Sequence, residues 1–278
     1  MTALSFSIQA PQAAQPIDRL IVFGDSLSDT GFVFRTTNGL YPPNPPYFQG
    51  RYSNGRVWVE YLAERLGLAA SQIDNFACGG ATSGNQTDSL VPGLLKQVQS
   101  FTQTNSQLSP TGLYVLWAGA NDYLQGATSA TAPVQNILDA IRALSDAGAK
   151  RLLVANLPNL GELPATSSSA SAARLVNLTQ THNQELRRAL KQLGQADLEI
   201  MTLDANALYQ AASTSPAQFG FTNVTTACVS GVRACGNPDQ FLFWDGIHPS
   251  TAAHRILGQQ AFAAIEARLP SLPSAASR

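Results

Sequence analysis

The chain is short of charge. Of its 278 residues 13% are charged, about half the ~25% of an ordinary soluble domain. With 17 basic and 18 acidic residues the formal net charge is −1, and there is no basic cluster, which argues against a nucleic-acid partner. Long apolar runs are missing too: nothing approaches the ~18 residues of a membrane-spanning helix. Cysteine is scarce, with three in all. No Cys-x-x-Cys occurs, and no His/Cys group has zinc-ligand spacing, so no metal site is expected. Cys228 and Cys235 lie seven apart and either close a small disulfide or stand as two thiols; Cys78 is left over. Histidine is equally rare, at three, so any histidine-based chemistry has few places to be.

What is present is an apolar fraction of 44%, enough for a sizeable core. Short apolar runs at 20–23, 73–77, 113–117, 152–155 and 198–203 read as buried strands. Helical periodicity lies between and after them, at 57–66, 90–101 and 134–144, in a long helix opened by the Ser/Ala-rich stretch 166–173, and at 252–269. Strand alternating with helix predicts an α/β fold: a single-domain three-layer α/β/α sandwich on a five-stranded parallel sheet. No composition break marks a second domain, so the domain is expected over 17–270, with disordered tails at 1–16 and 271–278. Residues 1–16 carry no Lys or Arg, and the apolar stretch 3–8 is short for a secretory signal; we read this tail as the remnant of a processed leader. The Cys228/Cys235 pair suits an oxidising compartment and the missing signal suits the cytoplasm, so the compartment stays open.

Two segments read as loops. Residues 31–56 hold Tyr41-Pro42-Pro43-Asn44-Pro45-Pro46-Tyr47-Phe48, whose prolines oppose helix and ladder alike. A loop this long inside a domain is commonly functional, and its aromatics, Phe32 and Tyr47 among them, are expected to wall the site and touch substrate. Arg51 and Arg56 are candidates for binding a substrate anion, with loop-anchoring ion pairs as the plainer alternative. Residues 212–240 read mostly as loop.

The chemistry-bearing residues sit where strands end. Ser26 follows the run Ile21-Val22-Phe23-Gly24-Asp25, at the carboxyl end of the first strand, where open α/β sheets bind ligands. Serine is a poor nucleophile without a base, and a strand-to-helix turn capped by Asp25 or Ser26 is the plain alternative. Of the histidines, His182 and His254 fall inside predicted helices and are expected at the surface or half-buried. His248 lies in Trp244-Asp245-Gly246-Ile247-His248-Pro249 before the last helix. That spacing lets Asp245 face one imidazole nitrogen and frees the other for a hydroxyl. Gly80, after the second strand, can offer a backbone N–H to a developing oxyanion, with Gly79 competing for the place. Asn121, after the third, can offer a side-chain N–H. A turn glycine with positive φ and a helix N-cap are the alternatives for these two.

Gly24-Asp25-Ser26-Leu27 with Ser28-Asp29-Thr30-Gly31, Asn75-Phe76-Ala77-Cys78-Gly79-Gly80-Ala81, Gly119-Ala120-Asn121-Asp122 and Asp245-Gly246-Ile247-His248-Pro249 occur in one order along residues 21–249. Together they resemble the four blocks of the SGNH (GDSL) hydrolases, and Gly50-Arg51-Tyr52-Ser53-Asn54-Gly55-Arg56 is similar to a segment of the lipase/esterase branch. The resemblance implies a flavodoxin-like fold and a serine ester hydrolase that works through an acyl-enzyme without metal or organic cofactor. It implies Ser26 as nucleophile, His248 as base and Asp245 as its orienting carboxylate. The oxyanion hole would be formed by the Ser26 and Gly80 N–H groups and the Asn121 amide. The aromatic loop favours a lipase-like or aryl esterase on a small-molecule or lipid ester. Carbohydrate acetylester cleavage, thioester cleavage and acyl transfer share such a site, and a non-catalytic lipid- or glycan-binding relative is the alternative from another class.

Overall fold

The five apolar runs become strands of one sheet in a computed structural model, which describes residues 16–85, 91–193 and 197–269. They are β1 (Leu20–Gly24), β2 (Ile73–Asn75), β3 (Leu113–Trp117), β4 (Arg151–Ala155) and β5 (Glu199–Leu203). Their order is β2-β1-β3-β4-β5, with every neighbouring pair parallel. β1, β3 and β4 are buried at every position. That is why they read as unbroken apolar stretches rather than alternating ones: both faces of the sheet are covered. β2, at one edge, is half-buried and stops at Asn75, two residues short of its expected end.

The helices are α1 (Phe32–Thr36), α2 (Trp58–Arg65), α3 (Leu94–Thr104), α4 (Ala120–Leu124), α5 (Thr131–Asp146), α6 (Ala172–Leu193), α7 (Ala205–Thr214) and α8 (Thr251–Glu266). The chain steps one way from β1 to β2 and the other way from β2 through β3 and β4 to β5. Right-handed crossovers then put α2 on one face and α3, α5 and α6 on the other. The packing agrees, α2 lying against α8 and α5 between α3 and α6. The result is the expected three-layer α/β/α domain. Among the described residues no helix is long and apolar enough to cross a membrane.

Several elements differ from expectation. The long helix begins at Ala172 instead of near Thr166. Its would-be first turns are taken by side-chain bonds to local carbonyls, such as Ser169 Oγ to Thr166 O at 2.7 Å, a competition that serine and threonine bring to helix ends. The short helices α1 and α4 carry no apolar stripe long enough to recognise. α7 follows β5 directly and starts at an Asp204 side chain that accepts from the Ala207 N–H at 3.0 Å.

Within 212–240 there is more order than expected. β6 (Asn223–Ala227) pairs in parallel with β9 (Phe241–Phe243). Between them β7 (Val229–Ser230) and β8 (Arg233–Ala234) form an antiparallel hairpin closed by a Cys228–Cys235 disulfide. β6, β7 and β8 are short and largely exposed, so they leave no burial pattern to read. Cys78 is free and buried. The tails expected at 1–16 and 271–278 lie, apart from Pro16, outside the described residues.

Candidate active site

The strand order turns back on itself between β1 and β3, and at such a switch point the loops leaving the two strands diverge and open a crevice. Ser26 leaves β1 into that crevice and Asn121 leaves β3 into it. The strand end is held tightly. A Cβ at Gly24 would drive into the Trp117 carbonyl, so glycine lets β1 and β3 close up at this point. The Gln97 amide clamps the Gly24 backbone from the helix layer, with two hydrogen bonds of 2.9 Å. Ser28 and Asp29 N–H then bond to the Asp25 carbonyl at 3.0 Å. The resulting tight turn carries Ser26, which is 7% exposed.

Three residues before His248, Asp245 builds a second tight turn. Its Oδ1 accepts the N–H groups of Ile247 (2.9 Å) and His248 (2.7 Å). Its Oδ2 faces His248 Nδ1 at 2.7 Å, and the far nitrogen, Nε2, lies 2.8 Å from Ser26 Oγ. The expected triad residues are therefore brought together in one line. Burial works against charge on Asp245, but the His248 imidazole, the Ile247 N–H and the Tyr47 hydroxyl outweigh it and hold the carboxyl down at about 2. Tyr47 donates to the same Oδ2 at 2.7 Å. The proline-rich loop thus reaches the site through a bond to the carboxylate, and Tyr52 of the same loop lays its ring beside the His248 ring, 5.1 Å between centroids.

Hydrogen bonding distinguishes the two glycines. The Gly79 N–H is spent on Asp29 Oδ2 at 2.9 Å, and a Cβ at Gly79 would collide with the Tyr52 ring. Gly80, with φ of +85°, makes no backbone N–H bond among the described residues. Asn121 is not the cap of α4, since Gly119 holds that position. Asn121 Nδ2 donates one hydrogen to the Ala81 carbonyl at 2.9 Å, which fixes the amide plane and leaves its second hydrogen free.

Two acids, Asp29 buried and Asp122 half-buried, hold this arrangement and were not singled out from the sequence. Asp29 gathers the N–H groups of Gly31 (2.7 Å), Phe32 (2.6 Å) and Gly79 (2.9 Å), tying the start of α1 to the glycine loop. Asp122 takes both the N–H and the hydroxyl of Ser83, at 2.8 and 2.7 Å, tying that loop to α4. Burial pushes both carboxyls up. It also lifts Asp25, next to Ser26, to about 7. The signal for Asp29 was its place three residues beyond Ser26, in the same turn.

The other expected substrate contacts are not brought to the crevice. Arg51 pairs with Glu60 at 2.7 Å and Arg56 with Glu64 at 2.8 Å, so both anchor the loop to α2. Phe32 opens α1, with its N–H on Asp29. The crevice is walled instead by Leu27, Leu124, Leu160, Leu163, Tyr209 and Ile247. His182 and His254 are not surface residues either: both are fully buried. His182 Nδ1 meets the Tyr123 hydroxyl at 2.9 Å, and His254 Nδ1 accepts the Trp58 N–H at 3.2 Å. Burial drives their pKa values down, to about 4 and about 3.

The chain is similar to known proteins over most of its length. A phosphatidylcholine-sterol acyltransferase of Aeromonas hydrophila is 29% identical over 95% of both chains. A thermolabile hemolysin of Vibrio parahaemolyticus is 28% identical over 89% of this chain, which spans 64% of that longer protein. Among solved structures, a lipolytic protein of the G-D-S-L family from Veillonella parvula shares the fold. Its TM-score is 0.54 at 16% identity, covering 88% of this chain and 96% of its own. The model of the GDSL-like lipase/acylhydrolase family matches residues 20–261, nearly the whole described domain, and the chain belongs to that family of ester hydrolases.

Proposed function

We propose that the chain cleaves carboxylic esters of apolar acyl or aryl groups through an acyl-enzyme formed on Ser26. The observation that carries this reading is the unbroken polar line from Ser26 Oγ through His248 to Asp245, at 2.8 and 2.7 Å, opening on a crevice with aliphatic walls. Ser26 Oγ attacks the ester carbonyl as its proton passes to His248 Nε2. Asp245 keeps Nδ1 protonated and stabilises the imidazolium that forms. The oxyanion is received by the N–H groups of Ser26 and Gly80 and by the free hydrogen of Asn121 Nδ2. His248 gives its proton to the leaving alcohol, and water, activated by the same imidazole, releases the acid.

An alcohol that reaches the acyl-enzyme in place of water would take the acyl group. The Aeromonas relative, named for acyl transfer and matched over 95% of both chains, favours testing this second outcome.

The test is hydrolysis of p-nitrophenyl esters from acetyl to palmitoyl, with and without an added acceptor alcohol, by the parent and by Ser26→Ala. Turnover should fall by about 10⁴-fold or more in the variant, and a folded variant that still turns over at the parental rate overturns the assignment. A folded parent that binds but cleaves no ester in the series supports the binding-protein alternative.

A further inference from the structure

Among the described residues, the large apolar side chains left exposed are Leu40 (79%), Tyr41 (55%), Phe48 (36%) and Val232 (84%). All four belong to two segments, the proline-rich loop and the β7–β8 hairpin. Each segment is anchored at the Trp244–Asp245 pair. Tyr47, next to Phe48, sets its ring 6.4 Å from that of Trp244 and its hydroxyl on Asp245. Tyr41 contacts Tyr52, the ring beside His248. The hairpin is tied to the same residue: Val229 N–H bonds to the Trp244 carbonyl at 2.8 Å, and Val232 lies in the turn between β7 and β8. The large exposed apolar side chains among the described residues thus stand on the two loops anchored next to the site carboxylate.

Charge is distributed to match. Residues 31–56 and 205–238 contain no Asp or Glu, although the chain has 18 acids. Both loops carry arginine. Arg51 and Arg56 are paired with glutamates of α2. Arg35, in α1, and Arg233, beside Val232, are exposed and have no carboxylate partner among the described residues. Exposed apolar tips flanked by unpaired arginines, in segments free of carboxylates, complement a surface that offers phosphates above hydrocarbon.

We infer that these two loops dock the protein on a phospholipid surface and present the Ser26 crevice to esters held there. The inference rests on the ester-hydrolase reading for its purpose, but docking itself needs no chemistry, so the two can be tested apart. Leu40, Tyr41 and Val232 would enter the outer hydrocarbon edge, while Arg35 and Arg233 would lie at the level of the phosphates. The disulfide would keep the Val232 tip from collapsing onto the body of the protein.

The experiment is flotation of the full chain carrying Ser26→Ala with vesicles of pure phosphatidylcholine and with vesicles containing a quarter phosphatidylglycerol. The chain should float with both and more strongly with the second. Leu40→Ser with Val232→Ser should lower partitioning on both by about tenfold or more, the scale of aliphatic side chains lost from an apolar phase. Arg35→Gln with Arg233→Gln should lower it on the anionic vesicles by about fivefold per arginine. The same pairs made with Ser26 intact should turn over p-nitrophenyl acetate at the parental rate, which shows that they fold. Absence of flotation overturns the docking face, as does flotation that Leu40→Ser with Val232→Ser leaves unchanged. So does a parent that self-associates through these residues without binding vesicles. A parent that floats but cleaves no soluble ester leaves docking standing and removes the hydrolase reading.

Discussion

His248 and His254 are six residues apart in the chain, and their surroundings differ. His248 sits on the turn before α8, with a carboxylate on one ring nitrogen and a serine hydroxyl on the other. His254 sits one turn into α8, 1% exposed. It accepts one backbone N–H, its Nε2 has no partner, and burial depresses its pKa to about 3. Both are buried imidazoles. What separates them is Asp245, which gives a positive ring at 248 somewhere to put its charge, while nothing at 254 does. Burial alone makes a histidine inert; burial with one well-held carboxylate equips it to receive a proton during turnover.

Removing that carboxylate breaks the contrast most severely. Asp245→Asn should cut kcat by about 10³–10⁴-fold, since the amide can neither anchor the Nδ1 hydrogen nor balance the imidazolium. A steady-state assay on a soluble ester reads it, and a loss of less than tenfold would mean Asp245 is not the orienting group. A milder intervention is Tyr47→Phe. It takes one hydrogen bond from Asp245 Oδ2 and leaves the carboxylate more basic and the imidazolium better stabilised. The acid limb of the kcat/KM profile should therefore move to higher pH, while kcat changes by no more than about fivefold, the size of one hydrogen bond of about 1 kcal/mol. An unmoved profile would reduce Tyr47 to a loop anchor.

At the other histidine the expected effect on turnover is nil. His254→Gln keeps an acceptor for the Trp58 N–H, and the change should appear only in the pH dependence of stability. The folded pKa is depressed to about 3 from 6.5, so between those values the unfolded chain takes up a proton that the folded chain refuses. Stability from this group is full above pH 6.5 and is lost as pH falls toward 3. Between pH 7 and pH 5 the parent should lose about 2 kcal/mol more than the variant, which urea midpoints at the two pH values would measure. Equal losses would mean that His254 titrates normally.

The sheet was legible from the sequence because its strands are buried on both faces and therefore announce themselves as apolar runs. β1, β3 and β4 fall within a residue of their expected bounds. The turn at 245–248 was legible because its chemistry is local, three residues of spacing being enough to set a carboxylate against an imidazole. Arg51 and Arg56 took the loop-anchoring alternative, but their partners were not legible, because a guanidinium has no sequence signature for which carboxylate it will meet and Glu60 and Glu64 lie on a helix whose position the loop alone does not reveal. The burial of His182 and His254 was missed because each is a polar residue on the core-facing side of a helix, His182 beside Thr179 and Asn183 and His254 among apolar neighbours.

Local order along the chain therefore determined the fold class, the buried central strands and the tight turn that sets Asp245 against His248. Apolar periodicity and tight-turn spacing are properties of neighbouring residues. Tertiary structure alone decided everything that depends on groups distant in sequence. It placed Ser26 2.8 Å from a histidine 222 positions away and sent the Gly79 N–H to Asp29, leaving Gly80 free. It also brought a tyrosine of the proline-rich loop onto Asp245. Each of these is a distance across the sheet's carboxyl edge, set by strand order and helix packing, which no local pattern of residues encodes.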